Sequence, residues 1–200
     1  KNINTLFENK EIKNIFLTAF PEFKYLNRLE KFLPLLKTNI LYKSSEVIFS
    51  TILVDEKDNY EYFCHKYKVS NKLKNHLGFM AKNYIKFKEE KNYLKKDLKK
   101  NVYSLGKDNI KKLLGFIYCA ESKFTIKILK NIIAEIDKIN IPSFPFNGKH
   151  LIAQGLFDGK KIGYALKELE KEWVQKDFNL NTKEITHILD KIKKLNIFNI

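Results

Sequence analysis

Lysine and glycine residues between positions 142 and 173 have the spacing of a phosphate-binding turn. Lys160 and Lys161 follow the dipeptide Asp158-Gly159, whose residue types favour a turn, so both lysines fall on the first turn of the next helix. Backbone N–H groups at a helix start lack an intrahelical partner and attract anions. The pattern therefore indicates an anion site. The competing interpretation is that the glycines only let two helices turn and pack tightly.

Helices on both sides would position these residues. Asn147 suits a helix N-cap, because its short polar side chain can accept a hydrogen bond from the first N–H groups. The helix over 148–154 should end at Gly155, since glycine readily adopts the left-handed conformation of a helix C-terminus. The next helix, over 160–176, carries one apolar stripe at helical spacing. Its members are Ile162, Leu166, Leu169 and Trp173.

Helical patterns also account for the remainder of the chain. Predicted helices cover residues 8–19, 25–36, 45–54, 60–67, 71–88, 93–104, 109–120, 125–139 and 182–195. The helix over 71–88 is representative, with Ser70 as its N-cap and large apolar residues on one face. No two-residue alternation typical of a strand competes with these helices. The sequence therefore predicts an all-α fold, a multi-helix array of about ten helices with no sheet.

The charge of the chain favours a polyanionic partner. Its 200 residues carry a formal net charge of +15, and clustered lysines raise phosphate affinity and association rate. Part of this charge reflects a general bias towards Lys, Asn, Ile and Phe. Arg28 is the only arginine, whereas base-specific reading relies on the guanidinium fork. We therefore expect recognition of backbone and shape.

Catalytic and metal-binding patterns are missing from the sequence. Two-metal nucleotidyl transfer needs closely spaced carboxylates on a rigid strand, and no such strand is predicted. The acidic cluster of Asp55, Glu56 and Asp58 contains Lys57, which favours an interhelical loop with a capping carboxylate. Cys64 and Cys119 lack metal-ligand spacing and should be reduced, packed side chains. We predict no catalytic residue, no metal site and no cofactor within this chain.

Neither a membrane span nor a secretory signal pattern is visible, which favours a cytoplasmic protein. The sequence begins at Lys1 and not at a methionine, so we expect a fragment or a trimmed chain. The weakest joints between helices are residues 88–93, a charged stretch, and residues 141–148, which contain two prolines.

Residues 142–173 resemble the C-terminal RNA-binding region of bacterial tRNA nucleotidyltransferases, the CCA-adding enzymes, and of the related poly(A) polymerases. That family shows a proline-rich lead, a G-x-D-L-like helix start, the pattern G-hydrophobic-x-P-G-x-x-I-G-x-x-L and a later tryptophan. The matching positions are Pro142, Phe144, Pro145, Gly148, Leu151, Gly155, Leu156, Gly159, Ile162, Gly163, Leu166, Leu169 and Trp173. His150 and Asp158 stand where the family has aspartate and proline. Less specific landmarks at 20–24, 67–71 and 105–107 extend the resemblance over most of the chain.

The resemblance implies a parent enzyme that adds nucleotides to RNA 3′ ends, with CCA addition to tRNA favoured over poly(A) addition. In the family, an upstream head holds the catalytic carboxylates, Mg²⁺ and CTP or ATP, while a helical body and tail hold the tRNA. Residues 1–105 would be neck- or body-like helices, and 106–200 body- or tail-like RNA-binding helices with the glycine-rich turn. The chain itself would hold RNA without transferring nucleotides, with the head of the same parent protein as a further partner.

The expected RNA phosphate-binding positions offer either a lysine side chain or an open backbone. They are Lys72, Lys127, Lys149, Gly159, Lys160, Lys161 and Gly163. Lys72 and Lys127 are the weaker candidates, and the two glycines would allow close backbone approach.

Two other functions fit the same residues. In the first, Gly159 to Gly163 form a helix-hairpin-helix-like phosphate turn, and the chain is a DNA-binding module. In the second, the chain is a helical protein-interaction domain with exposed tyrosines as anchors and an incidental positive charge.

Overall fold

The computed structural model describes residues 9–36, 45–90, 92–156 and 158–194, and every regular element in these ranges is helical. The predicted all-α fold is confirmed. The α-helices are α1 (Lys10–Ala19), α2 (Leu29–Leu36), α3 (Ser45–Leu53), α4 (Asn59–Lys66), α5 (Asn71–Glu89), α6 (Tyr93–Lys96), α7 (Leu98–Leu105), α8 (Lys107–Ala120), α9 (Ile126–Lys138), α10 (Gly148–Ala153), α11 (Gly159–Gln175) and α12 (Thr182–Lys194). No helix in these ranges is long and apolar enough to cross a membrane.

Two predicted helices are interrupted in the structure. The helix predicted over 25–36 begins as a 3-10 turn, Leu26–Arg28, before α2. The helix predicted over 93–104 is divided into α6 and α7 at Asp97, whose backbone leaves the helical region with φ −134° and ψ 42°. The predicted ends at Glu8 and Leu195 lie outside the described residues.

The described residues form two compact units, divided between residues 139 and 140. The boundary coincides with the start of the proline segment, one of the weak joints in the sequence. Residues 105 and 106, between which the resemblance divides body-like from tail-like helices, both lie in the first unit, where α8 packs against α7, α9 and the helices before them.

Helix α8 lies at the centre of the first unit. It contacts α2, α3, α5, α7 and α9, and its inward residues Leu113, Leu114 and Phe116 are fully buried. The two cysteines are free, buried thiols in this unit. Burial raises the pKa of Cys119 to about 12, so this thiol is a packing group and is not poised to react.

A buried carboxylate joins the loop after α1 to the end of α4. Glu22 is 3% exposed and accepts hydrogen bonds from Lys66 Nζ at 2.7 Å and from the Tyr67 hydroxyl at 3.2 Å. Burial acts to raise the pKa of Glu22, but the hydrogen bonds and the charge of Lys66 outweigh it and lower the pKa. A lowered native pKa stabilises the fold above the unfolded-state value of about 4.3, and this contribution is lost as the pH falls.

We therefore expect Glu22→Gln to reduce the pH dependence of unfolding of the first unit. The free energy of unfolding of the unmodified chain should fall more steeply than that of the variant between about pH 5 and pH 3. Urea titrations at several pH values would measure this, with Glu30→Gln on the exposed side of α2 as control. Parallel pH profiles for the unmodified chain and Glu22→Gln would contradict the assignment.

The second unit has its own apolar core between α10, α11 and α12. The buried members are Leu151, Leu156, Ala165, Leu169, Leu189 and Ile192. The Phe144 ring packs edge-on against Trp173, with ring centroids 5.5 Å apart. This contact anchors the proline segment on α11. The apolar stripe predicted for this helix is confirmed as its inward face, since Leu169 and Trp173 are buried and Ile162 and Leu166 pack against the core.

Candidate nucleic-acid interface

The start of α10 is closed by a reciprocal pair of hydrogen bonds. Asn147 Oδ1 accepts from the His150 backbone N–H, and His150 Nδ1 accepts from the Asn147 backbone N–H, both at 3.2 Å. The imidazole thus fills the role that a carboxylate has in a capping box. Lys149 lies between these two residues with an exposed side chain, so its ammonium is available to a ligand.

The start of α11 differs from the sequence-based expectation in one respect. Asp158 is its N-cap, and Asp158 Oδ1 accepts from the backbone N–H groups of Lys160 at 2.8 Å and Lys161 at 3.3 Å. The expectation that these two N–H groups are available to a phosphate is therefore wrong, because a carboxylate already occupies them. Attraction for an anion at this place must come from the lysine side chains.

Two glycines leave the backbone of α11 open on the side of Lys160. No described atom beyond the neighbouring backbone lies within 4 Å of the position that a Cβ would take at Gly159 or Gly163. Lys160 is exposed between them. A ligand could therefore approach the helix axis more closely here than at positions with a side chain.

The turn between α10 and α11 is brought next to the end of α12. Gly155 has φ +85°, which fits its predicted role at the end of a helix. The Lys193 Nζ atom lies 3.8 Å from the Cβ position at Gly155. Lys161 Nζ donates to the Lys193 carbonyl oxygen at 3.2 Å. Lys193, which the sequence did not single out, thus joins the predicted lysines.

The two helix starts lie side by side. A Cβ at Gly148 would be 3.6 Å from Ile162 Cγ2, so the first turn of α10 packs on the first turn of α11. We name the surface formed by Lys149, Lys160, Lys161 and Lys193 the basic edge. Lys167 lies seven residues, or two helical turns, after Lys160 and is also exposed. The seven-residue spacing from Lys160 could have identified Lys167 from the sequence as a further lysine on the same face of α11.

The two weaker candidates, Lys72 and Lys127, belong to the first unit, whereas the basic edge belongs to the second. Lys72 Nζ is paired with Glu46 Oε1 at 2.8 Å, and this contact raises the pKa of Lys72. Lys127 is exposed on the first turn of α9. The charge of Lys72 is partly neutralised by Glu46, so Lys72 attracts a phosphate less than Lys127 does.

Acidic residues gather at the other end of α11. Glu168, Glu170 and Glu172 all lie in the second half of the helix, and two of them line a groove towards α12. Lys176 and Glu184 form an ion pair in the same groove. Glu168, Glu172 and Glu184 line this groove beside Lys176 and Lys191. The groove is therefore less attractive to a polyanion than the basic edge, which is built from lysines.

The only arginine has a structural role. Arg28 Nη1 donates to the carbonyl oxygens of Val54 at 2.7 Å and Thr51 at 3.3 Å, at the end of α3. Its guanidinium lies over the Tyr25 ring, 3.9 Å from the centroid. These contacts satisfy carbonyl groups that a helix end leaves unpaired. The guanidinium is thus engaged within the fold.

The acidic loop after α3 also has internal partners. Asp55 is buried, and its Oδ1 accepts from the Lys57 backbone N–H at 2.9 Å while its Oδ2 accepts from the Tyr25 hydroxyl at 3.5 Å. Asp58 stands at the N-cap of α4 without a side-chain capping bond. The predicted interhelical loop is confirmed, with Asp55 ordering it, but the predicted capping carboxylate is wrong, because Asp58 makes no capping bond to α4. Among the described residues, no group of histidines, cysteines and carboxylates could hold a metal ion.

No protein-family model matches this chain, and no curated protein or solved structure matches it significantly.

Proposed function

We propose that this chain holds RNA by its phosphate backbone, as the helical part of an enzyme that extends RNA 3′ ends. The observation that carries the proposal is the basic edge, where lysines from three helices surround a turn and a helix start with an open backbone. The net charge of +15 adds long-range attraction for a polyanion. The resemblance of residues 142–173 to the tRNA nucleotidyltransferases favours tRNA among RNA ligands, and CCA addition over poly(A) addition.

The structural role of Arg28 supports recognition of shape over sequence. Lysines are point charges on flexible stems, and they bind phosphates without reporting base identity. All tRNAs share an elbow and an acceptor stem but differ in sequence, so lysine contacts to the backbone suit such a ligand. On this proposal, nucleotide transfer with Mg²⁺ and CTP or ATP is the task of a separate catalytic head of the parent protein, in the cytoplasm.

Reversing two charges of the basic edge should weaken binding to tRNA. We expect Lys149→Glu combined with Lys160→Glu to lower affinity by roughly tenfold or more at 0.1 M salt, because two phosphate contacts are lost. The slope of log K against log salt should become shallower by about 1.5. Fluorescence anisotropy with a tRNA transcript lacking its CCA end, at several salt concentrations, measures both quantities.

The control has the same change of net charge at another place. Lys82→Glu combined with Lys86→Glu alters two exposed lysines on α5, and it should reduce affinity much less. Equal losses of tRNA affinity in the two double variants would show that the basic edge contributes only nonspecific electrostatic attraction, which would contradict the proposal. Preference for duplex DNA over tRNA would favour the DNA-binding alternative. Absence of any nucleic-acid binding would favour the protein-interaction alternative.

A further inference from the structure

The last turn of α12 carries three lysines, Lys191, Lys193 and Lys194. The last carbonyl groups of a helix have no intrahelical partner and form the negative end of its dipole. Lys161, from the first turn of α11, donates its ammonium to one of them, the Lys193 carbonyl, at 3.2 Å. This contact fixes the end of α12 against the start of α11.

The Lys193 side chain has a different environment from its backbone. Its ammonium lies beside Gly155, an exposed residue that follows α10. The Lys161 ammonium is occupied by a carbonyl oxygen of the protein, whereas the Lys193 ammonium lies beside Gly155, in the turn that leads to α11. The two lysines are therefore unequal in what they can offer a ligand.

We propose that Lys193 is a further phosphate-binding residue of the basic edge and that Lys161 is a positioning residue, which acts by holding Lys193 in place. This inference rests on the proposed RNA-binding function. It assigns direct phosphate contact to Lys149, Lys160 and Lys193. It also explains how Lys161 can influence RNA binding without contacting RNA, since loss of its carbonyl bond would let the end of α12 fray.

A double-mutant cycle tests this division of roles. We expect Lys193→Gln to weaken tRNA binding by roughly 3- to 10-fold at 0.1 M salt and to make the salt slope shallower by about 0.8. Lys161→Gln should weaken binding by a similar or smaller factor. Because Lys161 acts through Lys193, the double variant should bind as weakly as Lys193→Gln alone. Lys160→Gln combined with Lys193→Gln should instead show additive losses.

Two further measurements separate positioning from direct contact. Lys161→Arg keeps a donor to the carbonyl and should retain affinity, and Lys161→Gln should speed amide hydrogen exchange in the last turn of α12. Additive losses for Lys161→Gln and Lys193→Gln, or unchanged affinity in Lys193→Gln, would overturn the inference. A different result would contradict the proposed function itself: the variant with Lys149→Glu and Lys160→Glu would bind tRNA as tightly as the unmodified chain.

Discussion

Replacing Leu169 by alanine should unfold the second unit under conditions in which the first unit stays folded. Leu169 is fully buried at the centre of the inner face of α11, within a core of few large side chains. A buried Leu→Ala change costs about 2–5 kcal/mol, through lost transfer energy and a residual cavity. A core in a unit of this size rarely supplies more than about 3–5 kcal/mol of net stability. Most of the stability of the second unit should therefore disappear.

Trp173 makes this result easy to measure. It is the only tryptophan of the chain and is buried in the second unit, so its fluorescence reports on that unit alone. Hydrogen exchange of α8 amides reports on the first unit. We expect the fluorescence transition of Leu169→Ala to move to much lower urea concentration while protection in α8 persists. Ile152→Ala, at a side chain 45% exposed in the same unit, should shift the transition little. An unshifted fluorescence transition in Leu169→Ala would contradict the assignment of this core.

Replacing Phe116 by alanine should have the largest effect on the first unit. Phe116 is fully buried in α8, its ring meets Tyr84 edge-on at 5.1 Å, and the Arg28 guanidinium lies 5.8 Å from the ring centroid. A buried Phe→Ala change costs about 3–5 kcal/mol, and the loss of an aromatic pair adds to it. The substitution would leave a cavity at the centre of the first unit, where other helices pack on α8.

Urea unfolding followed by hydrogen exchange of α5 and α8 amides would measure the destabilisation. Phe116→Leu keeps most of the volume and should cost less than half as much. The tryptophan transition of the second unit should stay where it is in both variants. Loss of the tryptophan transition together with the first unit would show that the two cores do not unfold independently. Unchanged exchange in Phe116→Ala would contradict the central role of α8.

The positions of most helices could be predicted from local signals. Ser70 and Asn147 cap the helices that they were predicted to cap, since N-cap chemistry depends only on residues within one turn. Apolar periodicity identified the buried faces of α5 and α11 for the same reason. The break at Asp97 was missed because tertiary packing, and not local propensity, decides where α6 ends and α7 begins.

The candidate site was less predictable than the helices. The side chains of Lys149 and Lys160 could be placed at helix starts from sequence, but the capture of two N–H groups by Asp158 depends on cap geometry. The position of Lys193 beside Gly155, a residue distant in sequence, depends on how α12 packs on α11. The structural role of Arg28 likewise depends on a contact between distant segments.

The opposite charges at the two ends of α11 have a kinetic consequence. Lys160 and Lys161 lie on its first turn, whereas its second half has three glutamates against two lysines. The peptide dipoles of the helix point the same way, so α11 itself carries a dipole moment along its axis. In the field of a polyanion, such a dipole experiences a torque that turns the first turn of α11 towards the phosphates before contact. A larger share of collisions would then begin in the productive orientation, and added salt would remove this advantage.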